Sequence, residues 1–217
     1  MRRLISLAAL IVVLGLSGCS EPPKPGHGVY MLIDTSGTYA DELEKAAQII
    51  SAILARLEPG DSFAVARIDT GSFSERDIIA KVTFDDRPSI ANQQKRRFQE
   101  TINEFVRSVR PAAFTDITGG ILQAVEFLDE KDPGQKTILV FSDLAEDLEE
   151  GYIREGIPLN LVDYDVVALN VTKLRSDNVD PREYLLRLED WQRRVELGGG
   201  RWRVINDLDS LERVISG

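Results

Sequence analysis

The sequence holds a single cysteine and a single histidine among its 217 residues. One cysteine excludes an intramolecular disulfide. The histidine, His27, falls in a proline-rich stretch expected to be an exposed tether, so neither a histidine-based triad nor a histidine-rich zinc site is expected. Basic residues are outnumbered, with 26 Lys and Arg against 36 Asp and Glu and a net charge of -10. That balance excludes a nucleic-acid binder, which needs a basic surface, and a domain that lies flat on anionic lipid. No internal repeat and no low-complexity segment follows the first residues.

What is present begins with an address. Met1-Arg2-Arg3 is a short basic start, and Leu4 to Leu16 is almost wholly apolar. This pattern is that of a secretory signal, and its apolar run is too short for a permanent membrane span. Leu16-Ser17-Gly18-Cys19 resembles the lipobox of bacterial lipoproteins, which implies cleavage before Cys19 and acylation of that cysteine with chains such as palmitate. More than one chain would anchor the protein firmly. Ser20, rather than aspartate, follows Cys19. By resemblance to enteric lipoprotein sorting, this points to the periplasmic face of the outer membrane in a Gram-negative cell. The expected division is therefore a signal peptide at 1–18, a lipidated cysteine and stiff tether at 19–27, and one domain at 28–217.

Within that domain, apolar runs alternate with amphipathic stretches. Val29 to Ile33, Phe63 to Ile68, Thr137 to Phe141, Val166 to Val171 and Trp202 to Ile205 are expected strands, with Lys81 to Phe84 on an edge. Leu43, Ala46, Ala47, Ile50, Ile53, Leu54 and Leu57 recur at helical spacing. Further helices are expected from a cap at Ser89, from near Thr118, from Pro181 through Leu185, Leu188, Trp191 and Val195, and from Leu208 to Ile215. The two tryptophans, Trp191 and Trp202, are read as packing residues. The acidic run Glu146, Asp147, Glu149 and Glu150 is read as a solvated loop. Such alternation specifies an α/β domain with a mainly parallel sheet covered on both faces. Ligands of such sheets bind at the carboxyl ends of the strands.

Three segments at those ends carry oxygen donors: Asp34-Thr35-Ser36-Gly37-Thr38, Thr115-Asp116-Ile117-Thr118-Gly119-Gly120, and Asp143 after its strand. Few carboxylates and several hydroxyls suit Mg2+ or Mn2+, which keep waters and leave positions open to an incoming ligand. Each segment alone is also what a turn or helix cap would use. Together they resemble the metal-ion-dependent adhesion site of von Willebrand factor type A (vWA) domains, whose Asp-x-Ser-x-Ser motif is matched by Asp34, Ser36 and Thr38. A threonine stands in the last position. The family's loop threonine corresponds to Thr115 and its strand-end aspartate to Asp143. The resemblance implies a three-layer, Rossmann-like fold with sheet order 3-2-1-4-5-6, one antiparallel edge strand and helices on both faces.

It also implies a non-enzymatic binding module, which the lipobox would place in the cell envelope. The metal, held by Asp34, Ser36, Thr38, Thr115 and Asp143, would accept a Glu or Asp carboxylate of a protein partner. Two other readings compete. One is a docking lipoprotein whose site is degenerate. The other is an aspartic-type hydrolase, because Ile33-Asp34-Thr35-Ser36-Gly37 and Ile68-Asp69-Thr70-Gly71 resemble the turns of those proteases. Two such aspartates sharing a proton could activate water, but those enzymes are all-β.

Overall fold

The computed structural model describes residues 26–37, 42–171 and 180–206. The expected signal, Cys19, most of the expected tether, Thr38 and the expected helix from Leu208 to Ile215 lie outside the described residues. Strand β1 spans His27–Asp34, β2 Ser62–Ile68, β3 Ile78–Thr83, β4 Gln135–Phe141, β5 Tyr164–Leu169 and β6 Arg201–Ile205. Helices α1 (Leu43–Arg56), α2 (Pro88–Ser108), α3 (Ile117–Lys131) and α4 (Pro181–Leu197) connect or flank them. The six strands form one sheet in the order β3-β2-β1-β4-β5-β6. Only β3 runs antiparallel to its neighbour among these pairings. The expected architecture is therefore the observed one.

Why β1 lies at the centre follows from its composition. Val29, Tyr30, Met31, Leu32 and Ile33 are all fully buried, as an unbroken apolar run requires. Side chains alternate across the pleat. Val29, Met31 and Ile33 join α1 and α2 on one face. Tyr30 and Leu32 join α3 and α4 on the other. Gly120 brings α3 close to β1: a Cβ there would stand 2.8 Å from a Leu32 methyl carbon. That close approach sets the start of α3, and the loop before it, over the tip of β1.

Several local expectations change. His27 is not an exposed tether residue; it opens β1 and is 8% exposed. Its amide donates to Asp61 Oδ1 at 2.7 Å, and its Nε2 lies 2.8 Å from Thr137 Oγ1. The folded domain thus includes residue 27. The proline-rich neighbourhood hid this, because the partners sit 34 and 110 residues away. Helix α2 begins at Pro88, before Ser89, and Arg87 at its N-cap makes no side-chain capping bond; proline's fixed φ suits the first helical position. Leu185 is 54% exposed. The inward stripe of α4 runs instead through Tyr184, Leu188, Trp191 and Val195. Both tryptophans do pack against the core, Trp191 at 3% exposure. Among the described residues no helix is long and apolar enough to cross a membrane.

Candidate metal-ion site

Asp34 is the last residue of β1. Sheet register puts it opposite Ile68 of β2, while Ile33 stands opposite Phe141 of β4. The residue that follows Phe141, Ser142, therefore lies beside Asp34. Its hydroxyl donates to Asp34 Oδ2 at 2.7 Å, and the Ser36 amide donates to Asp34 Oδ1 at 2.8 Å. The second bond is the turn that an aspartate makes with the amide two residues on. Each carboxylate oxygen retains a lone pair after accepting one bond.

The three candidate segments are stitched into one surface by backbone. Thr35 fastens the first to β2, its hydroxyl donating to the Ile68 carbonyl at 3.1 Å. The Thr35 carbonyl accepts from the Ala112 amide at 2.8 Å, which joins the first segment to the loop before α3. Thr115 and Asp147 then exchange two backbone bonds, of 2.7 and 3.0 Å, joining that loop to the segment after β4. Asp143 lies on this last segment, and its Oδ1 accepts from the Ala145 amide at 2.9 Å. Asp34, Thr115 and Asp143 are 1%, 4% and 3% exposed. Ser36 is half-buried beside them.

Thr115 could have been a helix cap, but other residues do that work. Asp116 is the N-cap of α3 and accepts from the Gly119 amide at 2.8 Å. Glu146, expected in a solvated loop, reaches back to the same helix start. It accepts from the Thr118 amide at 2.6 Å and from the Thr118 hydroxyl at 3.0 Å. Asp147, Glu149 and Glu150 of that run are exposed as expected. The Thr115 hydroxyl makes no hydrogen bond among the described residues.

Two buried aspartates at this end of the sheet are treated differently. Asp116, fully buried, is paired with Arg154, whose Nη2 stands 2.7 Å from Oδ2. It also accepts from the Ser72 amide at 3.1 Å. Hydrogen bonding to Asp116 raises the Arg154 pKa above its ordinary value. Asp34 has no such partner: among the described residues no Lys, Arg or His forms an ion pair with it. A buried carboxylate without a countercharge is costly, and proteins resolve that cost by pairing, protonation or metal coordination.

The donor chemistry fits a hard divalent cation. Among the described residues no group of three or more His, Cys, Asp or Glu side chains is placed to hold a metal. A cation here would rest on a mixed set of carboxylate and hydroxyl oxygens, as Mg2+ and Mn2+ accept. Ser142 and Arg154 carry no signal in the sequence that marks them as supports of this site, since Ser142 reaches Asp34 and Arg154 reaches Asp116 from distant segments.

Solved structures share this arrangement of strands. The open form of the pilus adhesin SpaC from Lactobacillus rhamnosus GG superposes with a TM-score of 0.54 at 11% identity, over 88% of this chain and 29% of that one. A von Willebrand factor type A protein from Catenulispora acidiphila gives a TM-score of 0.50 at 12% identity, over 89% of this chain and 41% of that one. The fold is of the von Willebrand factor type A kind.

The human COPII-coat protein Sec24c carries the same vWA-like core, with a TM-score of 0.53 at 11% identity over 89% of this chain and 32% of that one. An adhesin and a coat protein share it, so the vWA fold by itself does not decide function. The chain spans less than half the length of each of these proteins. No family model and no curated protein matches the sequence. The all-β scaffold of an aspartic protease is replaced here by a helix-covered parallel sheet. Asp69, the second aspartate of that reading, is paired instead with Arg67 at 3.1 Å.

A cleft of about 700 Å³ opens between the segment after β4 and the C-terminal end of α4. Leu148, Ile157, Leu159 and Leu197 give it apolar walls, and Arg193 and Arg194 line it as well.

Proposed function

We propose that this chain is a non-enzymatic binding module of the cell envelope. Its Asp34, Ser36, Thr38, Thr115 and Asp143 would hold Mg2+ or Mn2+, and a protein partner would engage the site through a Glu or Asp side chain. The observation that carries this reading is Asp34: a carboxylate 1% exposed, hydrogen-bonded but without a cationic partner among the described residues. A bound divalent cation would supply the missing positive charge and an open coordination position for the partner's carboxylate oxygen. The chain's own residues do the rest. Ser142 and the Ser36 amide orient Asp34, the Ala145 amide orients Asp143, and the Thr115–Asp147 backbone pair ties the loop that carries Thr115 to the segment that carries Asp143.

We also propose that Cys19 is acylated and tethers the domain to a membrane. The chain then enters the fold at His27, while Asp34 ends the same eight-residue strand. Seven steps along a strand span about 23 Å. The site would thus face away from the membrane, toward a partner reached on that side.

The deciding experiment is a pull-down from envelope extract on the full chain, with Mg2+, with EDTA, and with Asp34→Ala. Capture lost in both of the latter conditions supports the reading. Capture that survives both would leave a metal-independent docking lipoprotein.

A further inference from the structure

Asp143 is followed by a turn that the backbone resists. Leu144 has φ +66°, the left-handed region that residues with a branched apolar side chain rarely occupy. Leu144 is also 1% exposed, so the core encloses it in this conformation. Three bonds hold the turn. The Leu144 amide donates to Ser142 Oγ at 3.0 Å. The Asp143 carbonyl accepts from Arg187 Nε at 2.9 Å. The Leu144 carbonyl accepts from Trp191 Nε1 at 3.0 Å.

The last two bonds come from one surface of one helix. Arg187 and Trp191 are four residues apart on α4, which places them one above the other. They grip two consecutive carbonyls of the site loop. Trp191 is itself fixed: it is 3% exposed, and the Arg194 guanidinium lies 4.1 Å from the centre of its ring. Arg194 in turn bonds the Thr118 hydroxyl, at the start of α3. The turn then closes on the carboxylate, because the Ala145 amide donates to Asp143 Oδ1.

We propose that Arg187 and Trp191 are positioning residues for Asp143. Their bonds keep Leu144 left-handed, and that turn sets the direction in which the Asp143 carboxylate is presented at the strand tips. Neither residue lies near a motif in sequence, and neither offers an oxygen to a metal. This inference rests on the reading of Asp34 and Asp143 as divalent-metal donors. Without the clamp, Leu144 relaxes toward the ordinary right-handed region, and the Asp143 carboxylate turns with it.

The test uses the full chain with Trp191→Phe, which keeps an aromatic ring, though a smaller one, and removes the donor, and with Arg187→Met, which keeps most of the stem and removes the donor. Two quantities are measured: Mg2+ affinity by calorimetry, and exchange of the Ala145 amide in the metal-free protein. Loss of partners that orient a metal ligand weakens binding about tenfold or more. Each variant should show that loss, together with faster Ala145 exchange, while the amides of β4 stay as protected as in the parent. Parent-like Mg2+ binding with unchanged Ala145 exchange in both variants would overturn the proposal. If the parent chain binds no Mg2+, the metal reading fails separately, and Ala145 exchange alone decides the clamp: accelerated supports it, unchanged overturns it.

Discussion

The Ser142 hydroxyl donates a 2.7 Å hydrogen bond to Asp34 Oδ2 across the gap between β4 and β1, and accepts the Leu144 amide at 3.0 Å. One buried side chain therefore ties the two candidate carboxylate segments together. Removing it leaves a carboxylate oxygen and an amide without their partner. Ser142→Ala is expected to cost about 1–3 kcal/mol and to weaken divalent-metal binding. Urea denaturation and a Mg2+ titration on the same variant check both effects.

Asp34→Asn separates the charge from its shape. In the metal-free protein the substitution removes a buried, uncompensated charge. The Asn oxygen can still accept the Ser36 amide, and the Ser142 hydroxyl can rotate to accept from the new NH2. The metal-free melting temperature should therefore hold or rise. Added Mg2+ or Mn2+ should stabilise the parent, by about 2.7 kcal/mol at a hundredfold excess over Kd, and leave the variant unchanged. A parent that melts at the same temperature at millimolar metal contradicts the site.

Arg154 is expected to behave in the opposite sense. It is the charge partner of the fully buried Asp116, which also caps α3 and holds the Ser72 amide. Arg154→Met strands that carboxylate, a loss of about 3–5 kcal/mol. Adding Asp116→Asn should recover a large part of it. A double-mutant cycle by chemical denaturation measures the coupling, and simple additivity would show that the pair is not coupled.

Tyr30 carries a hydroxyl that is buried without a hydrogen-bond partner among the described residues, at the centre of β1. Burial, chiefly, lifts its pKa far above the ordinary phenol value, so it stays neutral. Tyr30→Phe keeps the ring, which packs edge-on against Phe127 at 5.5 Å. The substitution should stabilise the domain by about 1 kcal/mol, visible as a higher urea midpoint with an unchanged slope.

On β5, the Arg201 guanidinium, aided by Arg203, holds the Asp165 carboxyl below its ordinary 3.8. A folded-state value lower than the unfolded one means that ionisation favours the fold. The contribution is present above the unfolded value of 3.8 and fades as pH falls through the folded value. Asp165→Asn should be less stable than the parent at neutral pH, and the two curves should converge in strong acid. A gap that persists below that window would assign the loss to packing rather than ionisation.

Much of this molecule is written in short-range pattern. The apolar run of β1, the stripe from Leu43 to Leu54 and the proline and glycine stops each depend on neighbours within a few residues, so the element order was legible. So was the position of Asp34 and Asp143 at the ends of apolar runs, because a parallel strand must end where its hydrophobic face does. Sheet order came from the vWA resemblance, since periodicity does not say which strands pair.

Tertiary structure alone decided the contacts that cross the chain. His27 looked like tether because its partners Asp61 and Thr137 are remote in sequence. Glu146 looked like solvated charge until α3 presented it with the Thr118 amide. Asp116 and Asp34 are indistinguishable as letters, yet among the described residues one meets an arginine from another loop and the other does not. Local sequence sets backbone preference and burial over a turn or a strand. Which charge finds a partner depends on loops brought together only when the sheet closes.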